Sequence, residues 1–187
     1  PWGTPPPYPP GTVHIADSYE ELVISFAQLS AGSIPERPFL LIGQMTTSDP
    51  TRSPEGTESM WAYTHVPSRV LDDAGGNLTG SWDAEEAERF ADRMQDRIEQ
   101  RAPGFSERII ARRVLTPLDM ERRNASLVGG SLNGGTTALD QQVIFRPIPG
   151  LGRANTPIRG LYLASSSAHP GGAVHGACGM NAARAAL

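Results

Sequence analysis

The closing segment, Leu161–Leu187, places the tightest limit on what this chain can fold into. The apolar run Leu161-Tyr162-Leu163-Ala164 leads into a loop, Ser165 to Gly172, and then into small residues that continue to Leu187. A short apolar run bounded by turn residues predicts a buried strand. The small residues that follow predict a helix beginning just after Gly172 and packing closely on its surroundings. A strand that turns through glycines into a helix aims unpaired backbone N–H groups at whatever lies above the turn. Glycine also lets a flat or charged ligand approach the backbone. An ordinary glycine-rich turn before an alanine-rich helix satisfies the same pattern, so the local signal leaves both readings open.

The rest of the chain supplies alternating elements. Residues 1–12 are proline-rich and predict an extended lead-in. Asp17 and Ser18 offer N-cap side chains for a predicted helix over residues 18–30, which Gly32 stops. Residues 39–43 and 60–66 read as strands on either side of a turn-rich stretch, Thr46 to Glu58. Met60, Trp61 and Tyr63 alternate on the second strand and are expected in the core rather than lining a substrate cavity. From Asp83, the residues Ala87, Phe90, Ala91, Met94 and Ile98 form one apolar face of an amphipathic helix that Pro103-Gly104 ends. Residues 108–116 predict a further strand. Thr116 caps a short helix with Pro117 at its first position, and residues 142–146 predict a short strand. The mixed order predicts an α+β fold with a partly antiparallel sheet.

Composition excludes several classes. The 187 residues carry a net charge of −4, with no basic excess of the kind nucleic acid requires. No run approaches the roughly 18 apolar residues of a membrane span. The lone Cys178 cannot form an internal disulfide, so nothing marks an oxidising compartment and a cytoplasmic location is expected. Cys178 itself is expected to pack as a small hydrophobe.

The motif Ala168-His169-Pro170-Gly171-Gly172 followed by Val174-His175-Gly176, after the apolar run at 161–164, resembles the C-terminal FAD signature of phytoene-desaturase-like and amine-oxidase-like flavoproteins. Further segments are similar to one branch, the pyridine-nucleotide-disulphide-oxidoreductase-domain-containing protein 2 group. They include Gly11-Thr12-Val13-His14, Asp49-Pro50-Thr51-Arg52-Ser53-Pro54-Glu55-Gly56, Trp61-Ala62-Tyr63-Thr64-His65-Val66-Pro67 and Thr116-Pro117-Leu118-Asp119. The resemblance implies a substrate-binding portion over residues 1–150 and, over 151–187, the last strand and helix of a Rossmann-like FAD domain. It implies FAD contact by Ser165, His169, Pro170, Gly171, Gly172, Ala173, Val174, His175 and Gly176. The backbone amides of Ala173 to His175 would face the ring. Ser165 and Ala173 stand where relatives usually carry glycine.

The resemblance further implies hydride transfer from an apolar or small organic substrate to flavin. His169 and His175 are the catalytic candidates, weighed against a role in shaping the loop. No spacing around them matches a metal-ligand set. The G-x-G-x-x-G turn that grips the ADP half of FAD does not occur between residues 1 and 187. The chain alone is therefore expected to be an inactive C-terminal fragment that holds FAD weakly or not at all. The competing reading is a non-catalytic module that self-associates through surface an FAD domain would otherwise cover.

Overall fold

The computed structural model describes residues 2–3 and 7–187; positions 1 and 4–6 of the proline-rich lead-in lie outside them. Two compact units make up the chain, Pro1–Val114 and Leu115–Leu187.

In the first unit, β1 (Thr12–Ile15), β3 (Leu40–Gln44) and β4 (Met60–Tyr63) form an antiparallel sheet in the order β1-β3-β4. Its register sets Val13 opposite Ile42 and Ile42 opposite Ala62. Period-two alternation then directs Val13, Ile15, Leu40, Ile42, Met60 and Ala62 to one face. There they pack with Ile98 and Ala102 of the helical arm α3 (Ala84–Glu99) and the turn after it. One to two turns nearer its start, the same face of α3 packs Phe90 against Ile34 and Leu78, beside the two-residue parallel pair β2 (Ser33–Ile34) and β5 (Asp72–Asp73).

The sheet's outer face corrects one expectation. Met60 joins the core, but Trp61 and Tyr63 point outward, stacked 5.4 Å apart and about 40% exposed. Gly43 lies directly beneath the Trp61 indole, where a Cβ would overlap the ring.

Helix α1 (Tyr19–Ser30) starts at Ser18, whose hydroxyl accepts from the Glu21 N–H. Its apolar residues are not covered as the pattern suggests. Val23, Ile24 and Phe26 stay largely exposed while Ser25 is buried. Helix α3 follows its predicted bounds closely and is capped by Asp83. It also buries two charged side chains, Glu86 and Arg97. Glu86 accepts from the Thr79 and Trp82 N–H groups. Burial would push its carboxyl up, but these hydrogen bonds outweigh that and hold it at about 2. Arg97 pairs with Asp17 at 3.0 Å and with Glu21.

The second unit has little regular structure. The short helix α4 (Pro117–Arg123) starts at Thr116, as its sequence predicts, and Thr116 forms a capping box with Asp119. At the end of the first unit, the strand expected over residues 108–116 does not form; a 3-10 turn, Ser106–Arg108, is followed by unpaired chain. Residues 142–146 contain a 3-10 turn, Val143–Phe145, instead of a strand. Residues 161–164 pair only through a bridge between Tyr162 and Asn155, with the Leu163 N–H donating to Ala154. A strand needs a partner of matching length, and here only residues 154–156 lie alongside. The architecture is α+β, with a helix between pairing strands and a small mixed set of sheets. In the first unit a further short helix, α2 (Met45–Ser48), opens the turn-rich stretch before β4.

Candidate functional site

The loop from Ser165 to Gly176 and the helix after it lie wholly within the second unit. Helix α5 runs from Ala177 to Ala186, so it begins later than the turn after Gly172. Gly176 explains the delay. Its φ of 63° is left-handed, a conformation that suits glycine at a helix boundary and not inside one. Ala173, Val174 and His175 therefore lie in turns ahead of the helix, and their amides are not its first donors.

His175 instead caps the helix from outside: its Nδ1 accepts from the Ala177 N–H at 2.9 Å. That contact requires the tautomer with Nδ1 unprotonated. The next two amides of the first turn, Cys178 and Gly179, find no acceptor among the described residues. His169 is half-buried and its Nδ1 meets the Val143 carbonyl at 2.9 Å. The two histidines are thus each tied to backbone. His169 also borders a shallow hollow of about 350 Å³ with Arg153, Asn155, Asn181 and Arg184.

The loop is closed from below. Gly171 is buried with φ 112°. A Cβ on Gly172 would come within 2.8 Å of Asn133 Oδ1 and 3.2 Å of Ser166 Cβ, so a side chain there would push on both. Cys178 is buried, and its thiol donates to the Gly171 carbonyl at 3.3 Å and the Ala168 carbonyl at 3.6 Å. The Ser165 hydroxyl is exposed and pairs with Ser167. Pro170 is half-buried, and Ala173, Val174, His175 and Gly176 are exposed.

One residue that sequence reasoning passed over organises this floor. Arg146 is 3% exposed. Its Nε donates to the Gln141 carbonyl at 2.8 Å; one terminal nitrogen donates to the Asn133 and Ser166 carbonyls at 2.8 and 2.9 Å, and the other to the Thr136 carbonyl. Its partners are carbonyls spread from residue 133 to residue 166, which no local sequence pattern marks.

The loop is rich in glycine and small side chains, and the buried Arg146 cation lies beneath it. Nothing in residues 1–187 has the glycine turn that fits the ADP half of a dinucleotide.

No family model matches the chain. Curated proteins do. The chain is 38% identical over 159 residues to the pyridine nucleotide-disulfide oxidoreductase domain-containing protein 2 of Rattus norvegicus, and equally to that of Mus musculus. It is their homologue. The match covers 85% of this chain and 26% of each relative, so the chain spans about a quarter of the length of the proteins it matches. Weaker similarity, 29% and 28% identity, extends to a phytoene desaturase (neurosporene-forming) of Rhodobacter capsulatus and to a limonene dehydrogenase component of Castellaniella defragrans. These cover 87% and 90% of the chain and 29% and 30% of the relatives. The resemblance read from the sequence is thereby borne out. No helix among the described residues is long and apolar enough to cross a membrane.

Proposed function

We propose that this chain forms the flavin-facing part of an FAD-dependent oxidoreductase of the dehydrogenase or desaturase type. Residues 1–150 form part of its substrate-binding domain, and residues 151–187 form its C-terminal cofactor-facing segment. The observation that carries the reading is the loop Ser165–Gly176, packed beneath on Asn133 and Ser166 at Gly172 and leading to the Cys178 and Gly179 amides, which have no acceptor among the described residues. The oxidoreductase names of the relatives support it. Two of those names, phytoene desaturase and limonene dehydrogenase, point to an apolar hydrocarbon as the substrate class.

Bound FAD supplies the hydride acceptor. The chain's own residues bind and orient. The Cys178 and Gly179 amides are the groups that would donate to an electron-rich ligand, since a helix start favours negative charge. Gly171 and Gly172 keep side chains out of the loop's floor. His169 fixes the loop to Val143, and His175 fixes the start of α5. The exposed Trp61–Tyr63 stack gives the first unit an aromatic surface suited to an apolar substrate.

The test is the flavin content of the full-length protein that carries this chain. It should purify yellow or take up FAD stoichiometrically. Protein that stays colourless after incubation with FAD refutes the reading. The uncovered Val23, Ile24 and Phe26 of α1 support a second reading, a self-associating module without cofactor. Sedimentation showing a dimer that Ile24→Asp dissolves, in protein free of flavin, would favour it.

A further inference from the structure

Charge is unevenly distributed along this chain. Residues 141–187 contain Arg146, Arg153, Arg159 and Arg184 and neither Asp nor Glu. Arg146 is the buried member of this set. Buried guanidinium groups elsewhere in the chain have carboxylate partners: Arg93 has Asp73, and Arg97 has Asp17 and Glu21. Among the described residues Arg146 has only carbonyl oxygens, from Asn133, Gly134, Thr136, Gln141 and Ser166. Carbonyl dipoles satisfy its N–H groups, yet they do not cancel its charge. A buried cation without an anion is costly, and is seldom found without something that draws on it.

Its position shows what would draw on it. Arg146 holds the Ser166 carbonyl at 2.9 Å. The point where a Gly171 Cβ would lie is 3.6 Å from Arg146 Cδ. The guanidinium therefore lies directly beneath the Ser165–Gly172 loop, shielded from solvent, where a charge acts at longer range than it would on the surface.

We propose that Arg146 is the fixed positive charge that stabilises negative charge on the ligand above this loop. The proposal rests on the flavin reading. The oxidised ring is neutral; uptake of two electrons and one proton leaves it with one negative charge. Arg146 favours that state without touching it, by its charge acting across the loop, and is a positioning residue with an electrostatic effect. Its charge and its clasp are separable. Arg146→Lys keeps the charge with fewer donors, and Arg146→Met keeps the length with neither.

The experiment measures the two-electron midpoint potential and the FAD affinity of the full-length protein for the wild type and both variants. Arg146→Met should shift the reduction equilibrium at least tenfold toward the oxidised state, about 30 mV lower. Arg146→Lys should stay within threefold of the wild type. If Arg146→Met does not fold, Arg146→Gln takes its place as the neutral variant. A neutral variant that binds FAD at the wild-type potential overturns the proposal and leaves the flavin reading standing. A Lys variant shifted as far as the Met variant also overturns it, because geometry alone would then set the potential. Wild-type protein that binds no FAD overturns both.

Discussion

Replacing Asp73 by Asn should cost more stability than any other single-atom exchange in the first unit. The Asp73 side chain is 2% exposed and both its oxygens are fully used. Oδ1 accepts from the Gly75 N–H at 3.0 Å and from Arg93 at 2.7 Å. Oδ2 accepts from the Asn77 and Leu78 N–H groups, each at 2.9 Å, and from Arg93 at 2.8 Å. Burial would raise the carboxyl, but Arg93 and the three backbone N–H groups outweigh it and hold it at about 2, against an ordinary 3.8. At about 1.4 kcal/mol per pH unit, that depression corresponds to about 2.5 kcal/mol. An Asn in either orientation turns an NH2 group toward at least two donors and leaves Arg93, 15% exposed, without its anion. Breaking a buried pair from one side costs about 3–5 kcal/mol. The expected loss is therefore about 3 kcal/mol. Urea unfolding at pH 7, followed by tryptophan fluorescence, measures it directly. A loss below about 1 kcal/mol at unchanged m-value would refute the reasoning.

Three further outcomes are expected. Asp17, Asp73 and Glu86 are each held at about 2, below their ordinary 3.8, 3.8 and 4.5. Their contribution is therefore complete above about pH 5 and is lost as the pH falls toward 2; urea midpoints that stay level from pH 5 to pH 3 would contradict this. Gly172→Ala should weaken FAD binding to the full-length protein at least tenfold, about 1.4 kcal/mol, because its methyl meets Asn133 and Ser166; unchanged affinity in a titration would count against the loop as the cofactor-facing surface. Cys178→Ala removes the thiol that donates to Gly171 and Ala168, and should make the 165–176 loop more readily cleaved in limited proteolysis than Cys178→Ser does.

The elements legible in the sequence are those whose signals are local. Ser18, Asp83 and Thr116 are helix caps that bond to amides three residues on, and all three mark real helix starts. The apolar spacing from Ala87 to Ile98 likewise sits on one helix face. What failed depends on partners far along the chain. Residues 108–116 and 161–164 have the composition of strands, but a strand exists only where another pairs with it. Alternation at Met60, Trp61 and Tyr63 defines two faces without saying which face is covered. The closing motif located the loop correctly in the chain but placed the helix start too early, because Gly176 is left-handed only in this context. Arg146 was missed because its meaning lies in carbonyls from residues 133 to 166, which no window around it contains.

Gly43 beneath Trp61 has a consequence for how the sheet assembles. Strand pairs in a small sheet can slip, and a slip of one residue turns every side chain to the wrong face. A slip of two keeps the faces and is the more dangerous error. In β3 the outward positions are Leu41 and Gly43, and Trp61 can lie flat only over the one without a side chain. Moving β4 by two residues would set the indole on Leu41. The glycine and the indole therefore act as a lock and its key: they admit one alignment of the two strands and reject its nearest neighbour.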